Sequence, residues 1–350
     1  MRRGPALPMS AIEKPNPAFD EAEADRRLSV DQRDIVATLA KADNRMRARD
    51  YRAANAYYGQ VGRLAQEGGT IARTELLRAR DATIWLADYF RQAIVDGLAS
   101  RGITATTMHP RFAKSLAIMF GEQARDPVYQ RFPQMPNSYF YPDLPYLCFS
   151  DPSAHGWTAP IEAGFPDILE EAEELLKNSE FAPHVRDATD RPQGDVHGLV
   201  NDPRWSTWDL TAMGVPVPER TGLCPRTFEL IDRNAPLCRI PSRAPTIMFS
   251  LLRGGARIPP HTGMMNARII CHLPLIVPGS GALRVGDQVR EWQPGRLLMF
   301  DDTVEHEAWN HSSDNRLVLI FDVWRDEIEQ VEREQIRALF ETVDESQPDS

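Results

Sequence analysis

No run of eighteen apolar residues occurs anywhere in the 350-residue chain. A helical membrane span needs about twenty, so the sequence offers no candidate for one. The opening, MRRGPALPMSAIEKPNPAF, has two arginines but no apolar core of signal-peptide length. A cytoplasmic protein with no membrane partner is therefore the expectation. Positive charge is also scarce: 40 Lys+Arg face 50 Asp+Glu, for a net charge of −10. A general nucleic-acid binder needs a basic surface to neutralise phosphates, so that class is set aside. There are only four cysteines, Cys148, Cys224, Cys238 and Cys271, and none is in a CxxC pair. That excludes a cysteine zinc site and a disulfide framework. Reduced, buried thiols are expected, with a Cys224–Cys238 bridge the one pairing left open.

What is present falls into a helical half and a β half, an α+β organisation. Residues 1–17 have no periodicity and read as a disordered lead-in. Residues 18–125 read as helical. Ser29 is a candidate N-cap for Ile35, Val36, Leu39 and Ala40, which recur at helical spacing. The run ADNRMRARDYRAANAYYGQVGRLAQEGG looks like a tetratricopeptide-type hairpin. Its first helix ends near Ala48, the turn is at Asp50-Tyr51, and the second helix stops at Gly68-Gly69. A plain helical bundle fits the same pattern. Two further helices are expected at 73–100 and 110–125. The segment 126–158 is dense in proline and aromatics, which forbids long helices; it reads as an interdomain crossing. A helix at 160–178 follows. Residues 181–245 read as a long loop region with Trp205, Trp208 and seven prolines between Pro203 and Pro245. A loop of that length suggests a channel lining.

From Pro245 the pattern changes to short β-type runs, TIMFSLLR, RIICHLPLIV, ALRV, RLLMFDD and RLVLIFDVW. Glycine- and proline-rich turns separate them, as in a sandwich or jelly roll. This β domain is expected over 159–340, with a closing helix after Trp324 and a disordered tail at 341–350. His261 follows Ile-Pro-Pro, where a strand is expected to begin. His306 lies between two β runs, forty-five residues later, and Arg316 opens the last run. Two histidines delivered to one barrel mouth suit a non-haem iron site. The usual facial triad also has a carboxylate two residues after the first histidine, and here that position is Gly263.

The stretch Thr246–Trp324 resembles the aspartyl/asparaginyl β-hydroxylase family of Fe(II)/2-oxoglutarate oxygenases. The motifs that carry the likeness are PHTG with His261, NAR with Arg268, then His272, the LPLIVP run, FDD followed by EHE with His306, and NRLVLIFDVW with Arg316. The likeness is weaker from Thr246 back to Pro160, and the helical half only fits the fact that some members carry tetratricopeptide repeats. The resemblance implies a double-stranded β-helix (jelly-roll) domain that hydroxylates a β-carbon of an aspartyl or asparaginyl residue or related acidic substrate, consuming O2 and converting 2-oxoglutarate to succinate. In the branch acting on such residues a glycine replaces the carboxylate ligand, which Gly263 fits. The resemblance gives His261 and His306 to Fe(II), and Arg316 with Ser250 to the distal carboxylate of 2-oxoglutarate. It gives His272 to the co-substrate's other end and Arg268 to an acidic substrate. Where the family reads Arg-x-Arg, this chain reads Arg268-Ile269-Ile270, so the second arginine is missing. Asp301-Asp302 reads as a turn with hydrogen bonds toward a ligand histidine.

Two other classes fit parts of the pattern. One is a non-catalytic jelly-roll binding module whose helical region recruits a protein partner. The other is a cupin-type metalloenzyme without 2-oxoglutarate. Arg316 and the two histidines separate the three.

Overall fold

A computed structural model describes residues 12, 14–186 and 199–346. Most of the expected lead-in and the last four residues of the expected tail lie outside that set. The chain divides into two compact units: among the described residues the first runs to Ile103 and takes in 341–346, and the second comprises Thr104–Arg186 and 199–340.

The first unit is built from α1 (Glu21–Val30), α2 (Ile35–Arg47), α3 (Tyr51–Gln66) and α4 (Arg73–Ser100). Three aspartates start the first three helices. Asp20, Asp34 and Asp50 each accept backbone N–H bonds from the first turn, satisfying donors that a helix leaves orphaned. Ser29 is not the cap: it lies in the last turn of α1, its hydroxyl donating to Arg26 O at 2.7 Å. A helix that starts at Glu21 leaves no such role for it. The turn at Asp50 matches the expected hairpin. Helices α2 and α3 close on each other through Leu39, Ala42, Met46, Ala54, Tyr57 and Tyr58, small residues allowing close helix approach.

The second unit begins earlier than expected. Helix α5 (Pro110–Met119) is tied into it, with Arg111 donating to both oxygens of Glu332 at 2.6 Å and Ser115 bonded to Tyr139 OH at 2.6 Å. The proline-rich stretch is likewise part of this unit rather than a crossing. Tyr141 N–H donates to Asn266 Oδ1 at 2.7 Å and its hydroxyl to Glu332 at 2.6 Å. Where one helix was expected at 160–178 there are two, α6 (Thr158–Ala163) and α7 (Phe165–Asn178). They break at Gly164, which has no room for a side chain against Leu230.

The long region before Pro245 is not structureless. It holds β2 (Ala182–Pro183), β3 (Trp205–Asp209), β4 (Thr211–Ala212), β5 (Val215–Pro216), α8 (Pro218–Thr221) and α9 (Pro225–Asn234). Cys224 and Cys238 are both buried free thiols, so no bridge joins them.

A two-residue β1 (Phe149–Ser150) precedes these strands, and the barrel proper follows them: β6 (Ile247–Leu252), β7 (Arg257–His261), β8 (Arg268–Ile276), β9 (Gly281–Val285), β10 (Gln288–Glu291), β11 (Leu298–Phe300), β12 (His306–Asn310) and β13 (Arg316–Trp324). They form a seven-stranded antiparallel sheet, ordered β1-β11-β8-β13-β6-β3-β2, and a four-stranded one, ordered β10-β9-β12-β7. This is the expected jelly roll. Helix α10 (Gln330–Glu345) follows and runs five residues past the expected end at 340, where the second unit stops.

Strand alternation sorts the side chains. Ile247, Phe249, Leu251, Leu317, Leu319 and Phe321 face out, where Ile161, Ile168, Ala172, Leu175 and Ile231 of α6, α7 and α9 cover them. Met248, Leu252, Val318 and Ile320 face in, against Ile258, Leu283, Val285 and Ala308 of the smaller sheet. Because both faces of β13 are covered, all nine of its residues are buried. Any polar side chain at an inward position is thus set in an apolar chamber.

Candidate metal and co-substrate site

His261 ends a strand rather than starting one. It is the last residue of β7, an edge strand of the smaller sheet. Pro259 and Pro260 precede it, and an edge is where a sheet tolerates prolines because a missing N–H costs no ladder bond. His306 opens β12, and the register sets it directly opposite His261. The two imidazole centroids are 4.1 Å apart.

Each ring has its tautomer fixed by the backbone. His261 Nδ1 lies 2.8 Å from Pro259 O and His306 Nδ1 3.1 Å from Val304 O. A carbonyl only accepts, so both Nδ1 atoms carry the proton and Nε2 holds the lone pair, the form a metal ligand needs. Burial drives the His306 pKa well below the ordinary histidine range, and His261 beside it adds to the effect. The ring is therefore neutral at physiological pH. Among the described residues, no group of three or more His, Cys, Asp or Glu side chains forms a metal cage.

Gly263, where the carboxylate of a facial triad would stand, is glycine for a packing reason. A Cβ there would collide with the Asp302 carboxylate, and Gly263 N–H donates to Asp302 O at 2.7 Å. So an aspartate from the turn before β12 fills the space that a side chain at 263 would take. Asp302 is bonded in turn to Arg268, whose Nη2 donates to Asp302 Oδ2 at 3.1 Å while Nη1 is ion-paired with Asp322 Oδ2. All three are buried. Burial pushes the Asp322 pKa up to about 6 against the opposing pull of Arg268, and raises Asp302 for the same reason. Sequence reading placed Arg268 at an acidic substrate. In the structure its guanidinium already holds two carboxylates.

Arg316 is the opposite case. It is 2% exposed, and its Nε and Nη1 have no hydrogen-bond partner among the described residues. Its guanidinium lies 4.7 Å from the Trp292 ring centroid. Burial alone lowers its pKa to about 9. Lys41, Arg268 and Arg325, the other buried cations described, each have a carboxylate partner. An unpaired charge in an apolar interior is costly, and Arg316 is the buried cation among the described residues that no carboxylate of the protein offsets. Ser250 faces the same chamber, opposite Val318 on β13, and its Oγ accepts from Trp205 Nε1 at 3.2 Å. His272 is opposite Ile320, its ring edge-on to Phe300 at 5.0 Å, with Nδ1 unpartnered. Burial, then Arg316, takes its pKa down to about 3. Phe300 also touches His306, at 5.3 Å between ring centroids, so one aromatic ring joins His272 to the histidine pair.

The structure therefore collects His261, His306, His272, Ser250 and Arg316 in one chamber. Three participants escaped the sequence reading of the site: Trp292 under Arg316, Trp205 on Ser250, and Asp322 on Arg268. Asp322 was findable. It interrupts an apolar strand in phase with Arg316, Val318 and Ile320, so alternation alone sends it inward. Trp205 also stacks on His184 at 4.2 Å and lies 6.2 Å from His261.

Several known proteins are similar to this chain. The chain is 37% identical over 175 residues to the ornithine lipid ester-linked acyl 2-hydroxylase of Rhizobium tropici, covering 49% of this chain and 58% of that protein. It is 31% identical over 211 residues to aspartate beta-hydroxylase domain-containing protein 2 of Mus musculus, covering 59% of each. Against the aspartyl/asparaginyl beta-hydroxylase of Mus musculus it is 29% identical over 195 residues, covering 53% of this chain and 25% of that one. The chain thus spans less than two thirds of each of these relatives. The aspartyl/asparaginyl beta-hydroxylase family matches residues 162–326, a segment that contains the seven-stranded sheet save its two-residue edge strand, the whole smaller sheet, and every side chain of the chamber. Over that segment, just under half of the chain, the sequence is similar to the aspartyl/asparaginyl beta-hydroxylase family.

Proposed function

We propose that this chain is an Fe(II)- and 2-oxoglutarate-dependent dioxygenase that hydroxylates an unactivated carbon. The observation that carries the reading is Arg316, a buried guanidinium with no carboxylate of its own. A dicarboxylate co-substrate supplies the missing anion, and a guanidinium meets a carboxylate with two parallel hydrogen bonds. His261 and His306 hold the metal through Nε2. Ser250, kept in place by Trp205, shares the distal carboxylate with Arg316. His272, neutral and with an open Nδ1, faces the co-substrate's other end. Met248, Val318, Ile320 and Phe300 exclude water from the space between.

When bound, iron, 2-oxoglutarate and O2 place one oxygen atom in a substrate C–H bond and the other in the carboxylate of succinate, with loss of CO2. The family name carries an aspartyl or asparaginyl β-carbon as substrate, and the R. tropici relative is named for an acyl chain. Both ask the same of the reaction centre. A cytoplasmic setting fits the four buried free thiols.

The test is succinate release by the full chain with Fe(II) and 2-oxoglutarate, which proceeds slowly without substrate when the reaction is uncoupled. Wild type should release succinate and Arg316→Ala should not. A metal-replete wild type with no release and no 2-oxoglutarate binding would sink the oxygenase reading in favour of a metalloenzyme without that co-substrate.

A further inference from the structure

The outer face of the larger sheet, opposite the chamber, has a polar cluster that the oxygenase reading does not use. Strand β1 pairs with β11, Phe149 with Phe300 and Ser150 with Met299. Phe300 faces the chamber, so alternation puts Ser150 on the other face with Met299. Ser150 Oγ lies 3.2 Å from His155 Nε2, and His155 Nδ1 lies 2.9 Å from Oδ2 of Asp326, just after β13. A carboxylate only accepts, so Nδ1 has the proton. In the neutral ring Nε2 is left with a lone pair facing the Ser150 hydroxyl. The backbone of His155 is fixed: its N–H donates to Pro152 O at 3.1 Å and its carbonyl accepts from Thr158 Oγ1 at 2.7 Å. Trp157 flanks the ring at 5.9 Å between centroids. Ser150 and His155 line a cavity of about 70 Å³ with Leu147, Trp157, Ile269, Met299 and Val323, room for a group of a few heavy atoms.

We propose that Ser150, His155 and Asp326 form a second catalytic site, a serine hydrolase centre for a small carboxylic ester such as an acetate, separate from the metal and co-substrate site. Nucleophile, base and orienting carboxylate stand in the order that this chemistry uses on unrelated folds. Ser150 Oγ bonds to the ester carbonyl carbon as its proton passes to His155 Nε2. The carbon–oxygen bond to the alcohol then breaks, and Nε2 gives that proton to the departing oxygen. Water attacks the acetyl-Ser150 ester in the same way and gives a proton to Nε2. Acetic acid leaves as Nε2 reprotonates the serine, so the net change is one ester and one water to one acid and one alcohol. Asp326 keeps the ring in the tautomer that both halves need. Its side chain is 63% exposed, and exposed ion pairs contribute little, so its share is the smallest of the three. The apolar lining of the small cavity limits the acid part of the ester to a short uncharged group.

The test uses the full chain without added metal or 2-oxoglutarate. It is treated with a fluorophosphonate, which phosphonylates an activated serine with loss of fluoride, and the adduct is located by peptide mass spectrometry. Hydrolysis of p-nitrophenyl acetate is followed in parallel. Wild type should be labelled at Ser150 and should hydrolyse the ester faster than buffer. Ser150→Ala, His155→Ala and His155→Gln should each lose the label and at least about 100-fold of the rate above buffer, the low end of a general base's contribution; His155→Gln keeps a donor for Asp326. Asp326→Asn should lose about fivefold. Ser153→Ala, at the exposed neighbouring serine bonded to Asp151, should keep both label and rate. Wild type without an adduct on Ser150 overturns the proposal before any variant is made. An adduct that forms equally fast in His155→Gln also overturns it, because the hydroxyl would then be reacting without its base. Neither result bears on Arg316 or the histidine pair.

Discussion

Replacing Arg316 by methionine should stabilise the co-substrate-free protein and abolish its response to 2-oxoglutarate. Burial alone takes the Arg316 pKa down from the ordinary arginine range to about 9. That corresponds to roughly 4–5 kcal/mol of penalty on the charged form. That figure is a ceiling, since relaxation and water entry soften the cost of a buried ion. On the other side is the stacking with Trp292, worth about 1–2 kcal/mol. Methionine preserves most of the volume and is free of the charge. The expected net gain is about 1–3 kcal/mol, in the range seen when buried ions give way to apolar residues. For a unit of this size each kcal/mol moves Tm by about 2–4 °C, so a rise of roughly 2–12 °C is expected. Wild type should recover its deficit when 2-oxoglutarate binds: at a hundred times Kd the ligand adds about 2.7 kcal/mol. Differential scanning fluorimetry with and without 2-oxoglutarate reads both effects. If Arg316→Met melts lower than wild type in the absence of ligand, the guanidinium is already satisfied and the reasoning is wrong. If the variant still gains stability from 2-oxoglutarate, the anion site is elsewhere.

His261→Ala and His306→Ala should each weaken Mn(II) binding by more than about 100-fold in calorimetry, since loss of an outer-sphere partner alone reaches 10–100-fold; near-normal binding in either would remove that histidine from the site. Gly263→Ala drives a Cβ into the Asp302 carboxylate and should cost about 1–3 kcal/mol in urea unfolding, so an unchanged midpoint would mean that Asp302 moves away freely. Acid should unfold the second unit partly through Glu332. Burial raises its pKa, but hydrogen bonds from Arg111 and Tyr141 outweigh that and hold it at about 2. A depressed carboxylate contributes stability above its unfolded pKa of about 4.3 and loses it as pH falls toward 2, here on the order of 2 kcal/mol. Glu332→Gln should flatten the stability profile below pH 5; a profile as steep as wild type would assign acid sensitivity to other groups.

Much of the architecture was legible because alternation and helical periodicity are local. The runs at Ile247–Leu252, Arg268–Ile276 and Arg316–Trp324 are strands as read, and the turn at Asp50 is where the hairpin was expected. What was missed depends on contacts distant in sequence. Helix α5 belongs with the barrel because Arg111 meets Glu332, a pairing across 221 positions that no window of sequence contains. Strand β7 was hidden by its two prolines, tolerated there only because the strand is an edge. The histidine pair could be named from its motifs. The reason Gly263 has no side chain could not, because the group that excludes one comes from Asp302, thirty-nine residues away.

The same long-range contacts give the chamber a polarity that supports both cofactor assignments at once. On β13, Arg316 and Asp322 point inward from positions six residues apart, about 20 Å along the strand. At the Asp322 end, two carboxylates share one guanidinium, and one of them lies against Gly263, two residues beyond His261. That end carries an uncompensated negative charge beside the histidine pair. It favours a cation there through the field, without giving that cation a ligand atom. At the Arg316 end the uncompensated charge is positive, and no carboxylate among the described residues answers it; Trp292 and the neutral His272 are beside it. Neither imbalance is stable alone in a low-dielectric interior. On the proposed function, a metal cation at the histidines and a carboxylate at Arg316 would cancel both, which would tie the binding of each to the stability of the whole unit.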